Sequence, residues 1–333
     1  MADKAFRLGL LAVDGCLLSS LAGPIDALRV AQILADMRGP ASAPLFESVL
    51  IGARGESSVR TSEGMLLSGV VSSDRPLDMV LVPGLGLSHE QDVLGALARF
   101  EPEMELLRDL QRRGVHLAGC CTGVFLLAKA GLLDGRRATT AWWMAPAFRR
   151  HFPQVKLEIE SILVDDGKIT TTGAATAVYS LLNRLIADTG GEALAQQTSR
   201  VLLVDQERQS QAPYITQALL ERPRHSITEN AQRFIDNQLN NDISVQQLAS
   251  HCGVSERSLL RHFKAHFGQT PIGYIQHLRV ERAKALLETT RLSFDEVVER
   301  CGYQDVPSFR KLFKRETTLT PADYRERFRL RAR

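Results

Sequence analysis

Two stretches near the C-terminus repeat one another at a distance of fifty residues. Phe263-Lys264 is followed by Gly268, Thr270-Pro271 and Tyr274, and Phe313-Lys314 is followed by Thr318, Thr320-Pro321 and Tyr324. A Cys-Gly pair stands upstream of each copy, Cys252-Gly253 and Cys301-Gly302, with Cys-to-Phe spacings of eleven and twelve residues. Such a repeat demands two similar helical units inside one small domain. The rest of the 333-residue chain is long enough for a second domain with its own core.

Each copy reads as two helices joined by a glycine turn. Ser244 is placed to cap a helix carrying Val245, Leu248 and Ala249, and Gly253 supplies the tight turn. Ser255 caps the next helix, whose Leu259, Phe263 and Phe267 form an i, i+4, i+8 stripe. In the second copy Ser293 caps a helix with Val297 and Val298, Gly302 turns, and Asp305 caps a helix with Pro307 in its first turn. Phe309, Leu312 and Phe313 should face inward. This is the helix-turn-helix arrangement. The exposed side chains of the second helix in each pair are then the candidates for base edges and phosphates: Ser255, Glu256, Arg257, Ser258, Arg261 and His262, and Arg310, Lys311 and Lys314. Lys264 and His266 are expected toward phosphates or solvent. A continuous helix from Ile275 to Thr289 would link the copies, and recognition helices about 34 Å apart could enter successive major-groove segments of double-stranded DNA. The alternative is a helical bundle whose basic face is merely solvated.

Charge points the same way. Residues 225–333 carry 18 Lys and Arg against 13 Asp and Glu, whereas the first 224 carry 23 against 25. The positive balance is thus concentrated where a polyanion would bind. These residues closely resemble the AraC/XylS family of transcription regulators, over about Glu229 to Phe328. The resemblance is carried by Leu259 to Lys264, Gly268-Gln269-Thr270-Pro271, Tyr274, Arg279, Ala283, Gly302-Tyr303, Phe309 to Lys314 and Thr320 to Arg325. Thr318 departs from it, standing where the second copy usually has glycine.

The N-terminal two-thirds alternates strand and helix. Phe6–Val13, Phe46–Gly52, Met79–Gly84 and Val115–Gly119 read as strands, and Pro24–Met37, Leu106–Arg113 and Val124–Ala130 as helices. That order predicts an α/β domain with a parallel sheet flanked by helices, flavodoxin-like. The segment Gly119-Cys120-Cys121-Thr122-Gly123 has small residues around a possible nucleophile between strand and helix, the pattern of a nucleophile elbow. Such a turn beside a helix N-terminus is expected to lower the thiol's pKa. Residues 5–205 resemble the class I glutamine amidotransferase-like superfamily, in particular its PfpI-like branch. Further matches are Gly23-Pro24-Ile25-Asp26, Val82-Pro83-Gly84, Ala130 to Gly135 with Ala138-Thr139-Thr140, and Ile169 to Gly173. The resemblance puts Cys121 at the nucleophile position. It also puts Ser20 where relatives commonly have an acid and Ala141 where they commonly have a histidine. Cys121 is therefore expected to line a pocket or simply to pack, with catalysis the third reading.

The ligand pocket is expected where Cys121, Thr122 and Gly123 meet Gly84, since ligands bind at the carboxyl ends of parallel strands. Exposed amides of Thr122 and Gly123 could accept a carboxylate. Trp142 and Trp143 could box in an apolar or cationic group, or pack in the core or a dimer interface. Asp14 and Asp26 could neutralise an amine, though Asp26 equally suits a solvated helix face. Cys16 reads as structural.

These readings give a domain of residues 1–212, a linker at 213–228 with the basic stretch Arg222 to His225, and an all-α domain of residues 229–333 with two helix-turn-helix motifs. Five cysteines without metal-type spacing, no apolar run of ~18 residues and no signal-like N-terminus predict a cytoplasmic protein without metal, cofactor or membrane contact. The resemblance to fusions of these two domains implies a homodimeric regulator of promoter DNA, acting on RNA polymerase if an activator. Such fusions suggest catabolic genes and an amino acid, amine or related nitrogen compound as the small-molecule effector. A cysteine-dependent hydrolase or amidase tethered to DNA, and a constitutive architectural DNA binder, are the rivals.

Overall fold

The computed structural model describes residues 5–38, 44–86, 95–205, 208, 210–215 and 227–329. The chain forms two compact units, Met1–Gln211 and Ala212–Arg333. Residues 216–226, which hold most of the expected linker and its basic stretch, lie outside the described residues.

The first unit is built on a seven-stranded sheet. Its strands are β1 (Phe6–Leu11), β2 (Phe46–Gly52), β5 (Val71–Ser72), β6 (Met79–Val82), β7 (His116–Cys120), β10 (Leu163–Asp166) and β11 (Ile169–Thr172), in the order β10-β11-β7-β6-β1-β2-β5. All neighbours pair in parallel except β10 with β11. The apolar runs of β1 and β6 follow from burial on both faces. Two small ribbons complete the strands: antiparallel β3 (Ser58–Arg60) with β4 (Leu66–Ser68), and parallel β8 (Arg137–Ala138) with β9 (Lys156–Leu157). Helices α1 (Ser19–Arg38), α5 (Val178–Gly190) and α6 (Glu192–Val201) pack together, and α2 (Glu101–Arg112) packs on α3 (Val124–Lys129) and β7. Helix α4 (Ala145–His151) brings Phe148 edge-on to Phe125 at 4.9 Å.

Helix α1 begins at Ser19, five residues before the expected start at Pro24, which lies inside it. Tertiary contacts decide this. Leu17 N–H donates to Gly84 O, and Leu21 and Ala22 then donate to Leu18 O, so the turn is already wound when the chain reaches Pro24. The proline removes one helical donor there.

The second unit is helical: α7 (Ile227–Gln238), α8 (Val245–His251), α9 (Glu256–Phe267), α10 (Pro271–Thr289), α11 (Phe294–Arg300), α12 (Val306–Thr317) and α13 (Pro321–Phe328). The side chains of Ser244, Ser255, Thr270, Ser293, Asp305 and Thr320 each cap the helix that follows. Each cap is worth about 1 kcal/mol. Two cores result, and α10 enters both. Its Tyr274, Ile275 and Leu278 pack with Leu248, Leu259 and Phe263, while Val280, Ala283 and Leu287 pack with Val297, Phe309 and Phe313. The cores are also locked where Gly302 lies against Asn240, since a Cβ there would stand 2.8 Å from Asn240 backbone atoms. Beside that contact, Arg279 donates to Leu239 O and Asn241 O and lies 5.5 Å over the Tyr303 ring.

Helix α9 ends on left-handed Gly268 (φ 70°), and α12 ends on Thr318 at φ 64°. A β-branched residue pays a steric penalty in that region which glycine avoids. Thr318→Gly is therefore expected to stabilise the helical unit by roughly 0.5–1 kcal/mol, after allowing for glycine's greater freedom when unfolded. Gly268→Thr should lower stability instead. Urea midpoints followed by far-ultraviolet circular dichroism check both signs.

Candidate functional site

Strand β7 ends at Cys120, and the chain reverses through a 3-10 turn, Cys121–Gly123, into α3. Cys121 takes a φ of 53°, a left-handed conformation that a non-glycine residue holds only under constraint. The constraint is visible at Gly123, where a Cβ would lie 2.2 Å from the Pro83 carbonyl oxygen. The turn is thus pressed onto the end of β6. Thr122 Oγ1 donates to Leu85 O and accepts Leu85 N–H, both at 2.8 Å. Gly84 N–H donates to Ser20 Oγ at 3.1 Å, and Ser20 donates onward to Leu17 O. A Cβ on Gly84 would stand 3.6 Å from that of Cys121. The structure therefore brings Gly84, Cys121, Thr122 and Gly123 together at the carboxyl ends of adjacent strands, beside the point where the strand order reverses between β1 and β6.

Two expectations need correction. The Cys121 thiol is not lowered; burial pushes it up to about 11, outweighing its hydrogen bonds with Thr122. Its residue is 2% exposed. The stretch Thr122–Gly123 is likewise buried and so offers no exposed amide. Cys120 is pushed up further, to about 12, by the same burial.

Around the elbow, Thr140 Oγ1 donates to Cys121 O at 2.7 Å. Ala141 is fully buried. Trp142 follows, 6% exposed and edge-on to Trp143 at 5.4 Å. His116 stands at the opposite end of β7, where Nε2 meets Thr170 Oγ1 at 2.8 Å. Asp26 lies exposed on α1. Asp14 accepts Arg60 N–H and lines an open cleft with Arg60 and Arg99.

Sequence reasoning missed Gln211. Its side chain is 3% exposed and lies behind Thr139–Thr140. The amide donates to Ile159 O at 2.6 Å, Thr140 O at 3.0 Å and Thr139 Oγ1 at 3.2 Å, and its oxygen accepts Ala174 N–H at 3.2 Å. The last residue of the first unit is thereby keyed to the segment that holds the elbow. Nothing in the polar sequence around Gln211 signals this burial.

In the helical unit, Gly253 (φ 65°) and Gly302 (φ 73°) make the turns of the pairs α8–α9 and α11–α12. On α9, Glu256, Arg257, Arg261 and Lys264 are exposed, while Ser258 and His262 are half-buried. Ser255 is committed as the cap, accepting Ser258 N–H at 3.3 Å. On α12, Arg310, Lys311 and Lys314 are exposed. His266 is half-buried and edge-on to Phe267 at 4.7 Å. Among the described residues no helix is long and apolar enough to cross a membrane.

A thiol near 11 is ionised to roughly one part in ten thousand at pH 7. Cys121 in the native chain should resist a disulfide exchange reagent at pH 7 and react once unfolded; rapid native labelling, mapped by mass spectrometry, would contradict this. Since folding disfavours the thiolate, the thiol's contribution is intact below the unfolded value and is lost as pH rises from about 8.5 toward 11. Gln211→Ala leaves several buried backbone groups unpaired and should cost roughly 1–3 kcal/mol. Urea unfolding followed by tryptophan fluorescence reads it cleanly, since the chain's two tryptophans both lie in this unit.

Comparison with known proteins agrees with both halves. The DJ-1/PfpI family matches residues 11–188 and a helix-turn-helix domain family matches residues 248–327. The HTH-type transcriptional regulator CdhR of Pseudomonas aeruginosa is 32% identical over 72% of this chain and 74% of its own. GbdR of the same species, also an HTH-type transcriptional regulator, is 27% identical over 96% and 84%. GlxA of Rhizobium meliloti, another, is 30% identical over 66% and 68%. Among solved structures, a candidate transcriptional regulator from Vibrio parahaemolyticus aligns with a TM-score of 0.50 at 20% identity, covering 60% of this chain and all of that one, which supports the fold of the first unit. With an elbow-bearing α/β unit and a doubled helix-turn-helix unit in one chain, the protein belongs to the AraC-type transcriptional regulators that carry an N-terminal DJ-1/PfpI domain.

Proposed function

We propose that this regulator activates catabolic genes when a small nitrogen-containing metabolite binds its first unit. One observation carries the DNA half: two capped recognition helices project basic side chains from cores that share α10. Promoter DNA would be contacted by Ser255, Glu256, Arg257, Ser258, Arg261 and His262 of the first motif and by Arg310, Lys311 and Lys314 of the second. The effector would bind near Gly84, Cys121, Thr122 and Gly123, with Trp142 and Asp26 as further contacts. The protein would act as a cytoplasmic homodimer that engages RNA polymerase. To switch it, the effector must bind the DNA-competent arrangement more tightly than the alternative.

A non-enzymatic role fits the elbow. A buried thiol raised to about 11, with serine and alanine at the two partner positions, is poorly placed for nucleophilic attack. Ser20 and Thr122 spend their hydroxyls on the backbone of the Gly84–Leu85 loop. Neither hydroxyl is left to activate the thiol, which counts against the cysteine-dependent hydrolase.

The test is a thermal-shift screen of the full chain against amino acids, amines and betaines, with wild type beside Cys121→Ala. One compound class should raise the midpoint saturably, since ligand at 100 times its Kd adds about 2.7 kcal/mol. The variant should lose that rise. If no compound shifts either protein, the nitrogen-metabolite effector is wrong.

A further inference from the structure

Resting on the DNA-binding reading above, we infer that the two recognition helices divide their labour: α9 reads base edges, whereas α12 holds phosphates and specifies little sequence. The repeat allows a position-by-position comparison, with caps Ser255 and Asp305 in register and Phe263 matching Phe313. After the cap, α9 presents Glu256, Arg257 and Ser258. Glu256 and Arg257 are exposed, and Arg261 follows one turn later on the same face. A guanidinium donates two parallel hydrogen bonds to guanine O6 and N7, and a carboxylate accepts from cytosine N4. This is a set of side chains that distinguishes one base pair from another.

At the same positions α12 has Val306, Pro307 and Ser308. Valine has no polar group, and proline lacks even its backbone N–H. The Ser308 hydroxyl donates to Asp305 Oδ2 at 2.6 Å, while Ser308 N–H donates to Oδ1 at 3.1 Å. Those bonds hold the Asp305 carboxyl below its ordinary range, so this helix begins with a fixed negative charge where α9 begins with a neutral serine. Further along, the Arg310 guanidinium lies 4.8 Å over the Phe294 ring of the same motif. Arg315 pairs with Glu316 at 3.1 Å. Lys311 and Lys314 are exposed, and an ammonium grips phosphate as a point charge rather than as a planar fork.

The full chain, selected against a randomised duplex library, tests this. Each bound chain should enrich one block of fixed base pairs, with the neighbouring helical turn left free in sequence. On the selected duplex, Arg257→Ala and Arg261→Ala should each weaken binding about 5- to 150-fold, a larger loss than on random duplex, where only the charge is missed. Arg257→Lys, which keeps the charge and removes the planar fork, should lose the preference, which separates geometry from charge. Lys311→Ala and Lys314→Ala should weaken both duplexes alike and lower the slope of log K against log salt by about 1 each. Circular dichroism verifies that every variant remains helical. Two equally constrained blocks per chain, or a changed base preference in the lysine variants, would overturn the division. Failure to enrich any duplex would overturn the DNA-binding reading beneath it.

Discussion

The contact between Gly123 and the carbonyl oxygen of Pro83 sets the geometry of the first unit. No side chain fits in that gap, so β7 can turn into α3 only with its backbone laid directly on the end of β6. Cys121 is then driven to positive φ, and Thr122 is carried to within hydrogen-bond reach of both polar groups of Leu85. The loop after β6 is in turn tied to the loop after β1 through Ser20, Leu17 and the bridge between Cys16 and Leu85. Three loops from three strands become one block. The same closeness that makes the elbow raises its thiol, because a tight turn in a dry place offers the thiolate no solvent.

How much of this is legible in the sequence depends on the range of the interactions. In the helical unit nearly all signals are local. Caps, turn glycines and a stripe of Leu259, Phe263 and Phe267 lie within one or two turns of what they control, so helices and surface faces can be read residue by residue. The long buried strands of the first unit are legible as apolar runs for the same reason. Strands β3, β4, β5, β8 and β9 are only two or three residues long and leave no period to detect. The start of α1 depends on Gly84, more than sixty residues away, and the charge state of Cys121 depends on everything packed around it. Gln211 is the clearest case. A glutamine in a polar, proline-containing stretch looks solvated, and only the fold shows that Thr139, Thr140 and Ile159 were waiting for its amide.

The two units also differ in how they treat polar groups. In the elbow region, Ser20, Thr122, Thr140 and Gln211 each bond to backbone groups around them. Helix α9 does the reverse, leaving arginines and a glutamate on an open face. Satisfied polar networks rigidify, whereas open charged faces wait for a partner. That contrast matches a regulator whose sensing unit must be well defined and whose reading surface must meet a polyanion.

Because α10 contributes its first half to one core and its second half to the other, the angle between the two motifs is counted in residues. One residue added between Leu278 and Val280 would rotate the second core by about 100° and advance it by about 1.5 Å. Placed before Arg279, it would also pull that side chain away from Leu239 and Asn241. No continuous adjustment lies between these states. The separation and phasing of the two DNA-facing helices is therefore quantised, and a lineage carrying this unit can change what its surface side chains read far more readily than the pitch at which they read it.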